Sequence, residues 1–313
     1  MRILSTETHF KFMEAGRRRL AMIISGLLLA LVIGSFFVQK LNFGIDFTGG
    51  ILLQVGYEQA AELEDIRSQL GAAGYDDAVV QNFGSASEVQ IRLPPQENTD
   101  GSALRNELLE ILQSGGDNVD LKAVDFVGPQ VGEELTEAGG LSMIFTLLMI
   151  FAYVMFRFQW RFAAGAVAAL VHDVILTVGF FSLFKLPFDL TVLAAVLAVI
   201  GYSLNDTVVV FDRIRENFLN LRGKDPEEVM NISINQMLAR TIITGLTTLL
   251  VLTALFFLGG EAIKPFSIAM IVGIIVGTYS SIYTASATAL ALGVSAKDLL
   301  PPEPDPDDID EMP

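Results

Sequence analysis

Six long runs of apolar residues, divided by shorter polar stretches, set the frame of this chain. Residues 20–38 carry no charge, and further runs cover about 140–156, 162–184, 190–211, 242–258 and 266–292. A helix needs about 20 mainly apolar residues to cross a bilayer, so the pattern predicts six transmembrane helices. The one long interruption, 39–139, has other periods. Residues 51–55 read as a strand, and 58–72 as a helix with Leu63, Ile66 and Leu70 on one face. Residues 78–83 and 89–93 read as a strand pair around the turn Gly84-Ser85-Ala86-Ser87. A second helix follows over 103–112, with Leu104, Leu108, Ile111 and Leu112 at helical spacing, and 119–127 alternate as a last strand. The order β-α-β-β-α-β is that of a ferredoxin-like domain. The predicted fold class is therefore an α-helical polytopic membrane protein, with one α+β ferredoxin-like domain between its first and second membrane helices.

Composition sharpens this picture. A chain of 313 residues that is 52% hydrophobic, with mean hydropathy +0.52, is too apolar for an ordinary soluble domain. The net charge of −16 is local: residues 39–139 hold 18 acidic and 5 basic side chains, and 293–313 hold 7 and 1. The remainder is net +3, which argues against nucleic acid as a partner. The tail is rich in Pro and Asp and is expected to be disordered. With no cysteine, disulfides, thiolate catalysis and cysteine metal sites are excluded. No nucleotide-binding loop, triad or metal-ligand cluster is legible, and His9 and His172 are the only histidines, so an enzyme is not expected.

Basic residues set the predicted orientation. Arg17-Arg18-Arg19 precede the first run, Arg157 and Arg161 flank the second loop, and 212–240 carries Arg213, Arg215, Arg222, Lys224 and Arg240. The loops 185–189 and 259–265 have one lysine each. The bias places residues 1–19, 157–161, 212–240 and the tail in the cytoplasm, and 39–139 outside. The first run is too long for a signal peptide and lacks a small-residue cleavage site, so it reads as an uncleaved helix. Residues 1–16 interleave polar and apolar side chains and are expected to lie on the membrane surface.

Polar residues within the runs are the candidate chemistry. Asp206, beside Asn205, lies near the end of the fourth run, where a charge costs roughly 3 kcal/mol on insertion scales. Such a group faces a protein or water interior, as a proton or ion carrier or as a packing carboxylate that is protonated or paired. Helical spacing also aligns Gly165, Ala169, Asp173 and Thr177 on the third run, and Ala194, Ala198, Tyr202 and Asp206 on the fourth. On the fifth it aligns Arg240, Thr244, Thr247 and Thr248, and on the sixth Gly273, Gly277, Ser281 and Ala285. The last is a small-residue edge for close helix packing, and a candidate face for a partner. The threonines either line a water path or bond their own backbone carbonyls. His172 and Asp173 are adjacent and point about 100° apart, so they are not expected to share one cavity centre. Arg240 opens its run at the level of Asp206. A nearby guanidinium favours the ionised carboxylate and burial the neutral one, so its approach would expel a proton. The alternative is that Arg240 snorkels to the interface.

Three motifs carry a family resemblance. They are Gly44-Ile45-Asp46-Phe47-Thr48-Gly49-Gly50, Val127-Gly128-Pro129-Gln130-Val131-Gly132, and the stretch from Ile200 to Asp206 followed by Arg213-Ile214-Arg215-Glu216-Asn217. Together they resemble the SecD/SecF family of bacterial protein-export membrane proteins, within the RND superfamily. Six spans with a single ectodomain resemble the family's smaller member. The resemblance implies half of a pseudo-symmetric twelve-helix unit completed by SecD. It implies residence in the bacterial inner membrane and use of the proton motive force in late steps of export. The implied partners are the SecYEG channel, YajC, an exported polypeptide and membrane lipid. The coupling ion is the proton, without any other cofactor. By position, Asp206 matches the family's proton-carrying aspartate, Arg240 its partner, and Asp173 a second membrane carboxylate. Asn205, Thr244, Thr247 and Thr248 complete the candidate pathway. Gly44, Asp46, Gly49 and Gly50 match the ectodomain signature, whose glycines suit a tight turn without Cβ atoms. Two other readings stay open: an RND half-transporter for lipids or small molecules, and a structural clamp without ion coupling.

Overall fold

The computed structural model describes residues 9–96, 101–115, 118–221 and 223–295. Helix α1 (Ala15–Val38) leads to a short strand β1 (Asn42–Phe43) and a single turn α2 (Ile45–Thr48). The ectodomain follows as β2 (Gly50–Tyr57), α3 (Leu63–Ala72), β3 (Val79–Phe83), β4 (Ser85–Leu93), α4 (Gly101–Ser114) and β5 (Val119–Val127). Its strands lie in the order β3-β4-β2-β5, all neighbours antiparallel, which is the ferredoxin-like arrangement. Alternation explains the packing: Ile51, Leu53 and Val55 of β2 and Val89, Ile91 and Leu93 of β4 point one way. They meet Ile66 and Leu70 of α3 and Leu104, Leu108 and Leu112 of α4 in one buried core.

The membrane helices are α5 (Pro129–Arg157), α6 (Trp160–Leu183), α7 (Leu190–Asn220) and α8 (Pro226–Leu258). A composite last helix contains α9 (Lys264–Ser280), a π-helical turn (Ser281–Ala285) and α10 (Ser286–Ala291). With α1, six helices are long and apolar enough to cross a membrane, as the hydropathy pattern predicts. Helices α6 and α7 and the last helix form the interior, and α1, α5 and α8 leave most of their apolar surface uncovered. Between α6 and α7, strand β6 (Pro187–Phe188) pairs in parallel with β1. The ectodomain also touches the α8–α9 connection, since a Cβ at Gly84 would lie 2.7 Å from Glu261 Cγ.

The structure departs from the sequence reading in several places. The 212–240 segment is not a loop but the helical continuations of α7 and α8, joined near Gly223. Apolar spacing persists there: Ile214 and Phe218 pack against Val229, Met230 and Ile234, and Asn217 Nδ2 donates to Ser233 Oγ and Gln236 Oε1. Pro at the first turn starts α5 at 129, well before the apolar run, because Pro suits the first turn, whose N–H groups have no acceptor within the helix. The first ectodomain helix begins at Leu63 rather than 58, and the hairpin turn tightens onto Gly84 at φ +82°. Residues 9–14 are fastened to α8. Phe10 exchanges backbone bonds with the Asn235 side chain, at 2.9 and 2.7 Å, and Met13 N donates to Asn231 Oδ1 at 2.8 Å. Residues 1–8, Arg222 and the 296–313 part of the acidic tail lie outside the described residues.

Candidate functional site: two carboxylates in the helix bundle

Asp173 sits midway along α6 with no exposed surface. Its Oδ2 accepts hydrogen bonds from Ser203 Oγ of α7 at 2.6 Å and Ser280 Oγ of α9 at 2.7 Å. Its Oδ1 lies 3.0 Å from His172 Nδ1. The expectation that His172 and Asp173 could not share one centre is therefore corrected. The Cα–Cβ bonds diverge, but the imidazole is long enough to fold back onto its neighbour. The ring stacks on Tyr279, whose hydroxyl donates to the Ala21 carbonyl at 2.7 Å and lies 3.1 Å from Ser25 Oγ. One polar network thus joins α1, α6, α7 and α9.

The π-helical turn continues this polar interior. Ser281 Oγ lies 2.9 Å from Thr207 Oγ1 on α7, so Ser280 and Ser281 serve two different neighbours in succession. Small residues make the approach possible. A Cβ at Gly277 would meet Ser203 Cβ at 3.0 Å, one at Gly273 would meet Val199 Cγ2 at 2.2 Å, and one at Gly165 would meet the Ala285 carbonyl oxygen at 2.6 Å. The Gly273 edge is thereby filled by α7 within the chain and is not free for a partner.

Asp206 lies one helical turn beyond Ser203 on α7. It is only 5% exposed, yet its Oδ2 has no hydrogen-bond partner in the protein. Arg240 on α8 reaches it through its field, while among the described residues the two form no ion pair. Arg240 itself is exposed. The other candidates divide. Asn205 is exposed, about 100° around α7 from Asp206. Thr244, Thr247 and Thr248 donate to the carbonyls of Arg240, Ile243 and Thr244, at 2.8, 3.0 and 2.9 Å. Thr248 Oγ1 also lies 3.3 Å from Tyr202 OH, whereas Thr247 is exposed. The fourth-run stripe winds off the buried face, because each four-residue step overshoots a turn by about 40°. Ala194 and Ala198 are exposed and Asp206 is buried. The exposed side of α7 presents Thr191, Ala194, Ala198, Gly201 and Asn205 instead, with nothing within 4 Å of a Cβ at Gly201.

The signature residues cluster where the ectodomain meets the membrane helices. Gly44 N donates to the Phe188 carbonyl at 2.8 Å. Gly49 and Gly50 adopt φ +70° and +118°, and a Cβ at Gly50 would lie 2.2 Å from the Leu93 carbonyl oxygen, so only glycine fits. Asp46 Oδ2 accepts from Leu190 N, the first residue of α7, at 2.9 Å. Sequence reasoning missed Ser203, Ser280, Thr207 and Tyr279, and read Ser281 only as part of a small-residue packing edge. A signal was available in Ser203, three residues before Asp206, but lone serines in apolar runs carry little information by themselves. Among the described residues, no group of three or more His, Asp or Glu side chains could hold a metal.

A six-helix bundle with a carboxylate-bearing polar interior and a ferredoxin-like domain defines a multi-pass membrane protein of the transport class. A family model described as the C-terminal region of protein export membrane protein SecD/SecF matches residues 107–295, and one for the SecD/SecF GG motif matches 34–61. The protein translocase subunit SecF of Vibrio alginolyticus is 50% identical over 314 residues, covering 99% of each chain. That of Pseudomonas aeruginosa is 50% identical over 298 residues, covering 95% of this chain and 96% of its own. The crystal structure of SecDF, a translocon-associated membrane protein from Thermus thermophilus, is similar with a TM-score of 0.83 and 40% identity. That match covers 91% of this chain and 39% of the SecDF chain. The chain belongs to the SecF proteins of the SecD/SecF family.

Proposed function

We propose that the chain is an accessory subunit of the Sec protein translocase which, paired with SecD, uses the proton motive force to assist late steps of export. The observation that carries this reading is Asp206: buried in a membrane helix, one oxygen unpartnered, with Arg240 near but not bonded. A carboxylate in that state can take a proton from one side while Arg240 is distant, becoming neutral as burial favours. Approach of Arg240 then favours the ionised form and releases the proton toward the other side. Asp173, Thr244 and Thr248 are proposed to flank that route, whereas Asn205 and Thr247 lie on exposed faces. One proton crossing 100 mV yields about 2.3 kcal/mol, enough to bias a hinge but not to move a whole protein in one step. A repeated cycle, in which the ectodomain holds and releases an emerging polypeptide, fits that scale.

The subunit works without nucleotide hydrolysis or any cofactor beyond the proton. It stands in the inner membrane with both termini cytoplasmic and the 39–139 domain outside, beside the SecYEG channel and YajC. Pairing with SecD is supported by the exposed stripe Thr191, Ala194, Ala198, Gly201 and Asn205 on α7, since small residues let a second helix approach closely.

The test uses vesicles holding this chain, SecD and SecYEG, and measures gradient-driven release of a secreted protein. Asp206→Asn is expected to abolish the gradient-dependent part while the complex still assembles. Release that stays fully gradient-dependent would place coupling in the partner or at Asp173.

A further inference from the structure

The signature aspartate has a use that tight-turn geometry does not explain. Asp46 lies in α2, one turn before the central strand of the ectodomain sheet begins at Gly50. Its carboxylate oxygen takes the backbone N–H of Leu190 at 2.9 Å, across 144 residues of sequence. A helix needs acceptors for its first N–H groups, but α7 already has its own cap: Asp189 Oδ1 accepts from Val192 N at 2.9 Å. Asp46 is a second acceptor, supplied by another segment.

Other bonds converge on the same joint. Strand β1 pairs with β6, Asn42 Nδ2 donates to the Lys185 carbonyl at 3.1 Å, and the Phe47 ring lies 5.8 Å from both Phe43 and Phe188. On the domain side, Arg92 of β4 donates to Asn42 Oδ1 at 2.7 Å and to the Phe43 carbonyl. On the α5 side, Thr136 Oγ1 donates to the Phe47 carbonyl at 3.1 Å. The ectodomain is thus knotted to the outer end of α7. From Leu190 the helix runs unbroken to Ser203 and Asp206, roughly 24 Å away at about 1.5 Å per residue.

We infer that Asp46 is the positioning residue that ties the ectodomain to α7, so that displacement of α7 is delivered to the ectodomain. This rests on the reading of Asp206 as the proton carrier. A helix is stiff along its axis, so a shift at Asp206 arrives at Leu190 almost undiminished, and among the ties of this joint the Asp46 bond is the one made to the first residue of α7 itself. The carboxylate does not touch the proton. It sets the mechanical register between the helix that moves and the domain that works.

The experiment uses the full complex in vesicles and reads proton uptake and gradient-stimulated release separately. Asp46→Ala is expected to lower gradient-stimulated release by about 5- to 150-fold, the usual range of coupling between sites, while proton uptake through Asp206 persists. Asp46→Asn, which keeps an oxygen for Leu190 N, is expected to retain most of it. A covalent substitute for the joint is available because the chain has no cysteine. A Cβ at Gly44 would lie 3.1 Å from Asp189 Cβ, close to the roughly 3.5–4.5 Å of a disulfide. In the Asp46→Ala background, oxidised Gly44→Cys with Asp189→Cys is expected to restore stimulated release, and reduction to remove it again. The inference is overturned if Asp46→Ala leaves release unchanged, if proton uptake is lost together with release, or if a cross-link that forms restores nothing. Stimulated release that survives Asp206→Asn yet falls with Asp46→Ala overturns the carrier reading while upholding the joint.

Discussion

Asp173 and Asp206 are two membrane carboxylates on neighbouring helices, and their surroundings are opposite. Asp173 is held by two serine hydroxyls and a histidine, each from a position fixed by helix packing. Asp206 is almost as buried but keeps an oxygen without a partner. The difference separates two uses of one functional group. A carboxylate whose lone pairs are filled fastens the helices that fill them, and a change in its charge would disturb every donor. One left under-partnered contributes little to stability, but it can change state without dismantling its neighbours.

The comparison can be broken most directly at Asp173. Asp173→Ala would leave Ser203 and His172 without this partner in the interior, while Ser280 keeps the Gly277 carbonyl at 3.1 Å, with an expected loss of about 1–3 kcal/mol, seen as a lower midpoint in thermal unfolding of the detergent-solubilised chain. In the same measurement Asp206→Asn is expected to stay within about 0.5 kcal/mol of the parent. Equal losses for both would remove the distinction. Arg240→Ala probes the electrostatic half, with gradient-driven release expected to fall about tenfold, equivalent to roughly 1.4 kcal/mol of coupling. Arg240→Lys should retain an intermediate level, since it keeps the charge without the planar fork. The smallest effect is expected at Thr247, whose hydroxyl is already bonded to its own helix. Thr247→Val should change neither release nor the unfolding midpoint by more than about 0.5 kcal/mol, and a clear loss of release would return that face to the proton route.

The six membrane helices were legible because apolar runs of bilayer length seldom suit a water-soluble fold, and the ectodomain because its strands alternate and its helices repeat. Asp206 stood out for a related reason: a lone carboxylate in such a run is conspicuous. The Asp173 network was not legible. Its donors are Ser203 and Ser280, common residues in membrane helices, and which of them meet is decided by helix crossing rather than by local pattern. The helical extension through 212–240 was hidden because Arg213, Arg215 and Lys224 suggest a solvated loop, although Ile214 and Phe218 keep helical spacing between them. The strap over residues 9–14 depends on Asn231 and Asn235, whose side chains bond backbone more than 200 positions away in sequence.

The π-helical turn at Ser281–Ala285 has a consequence for the phase of the last helix. A π turn spends one residue more than an α turn, so side chains before and after it no longer share one face. Gly273 and Gly277 look toward α7, whereas past the π turn the Ala285 carbonyl and the Ala289 side chain lie against Gly165 on α6. Counting in fours through Ser281 therefore joins two faces that the molecule keeps apart. The added residue acts as a phase shift, letting one straight sequence serve two neighbours in turn.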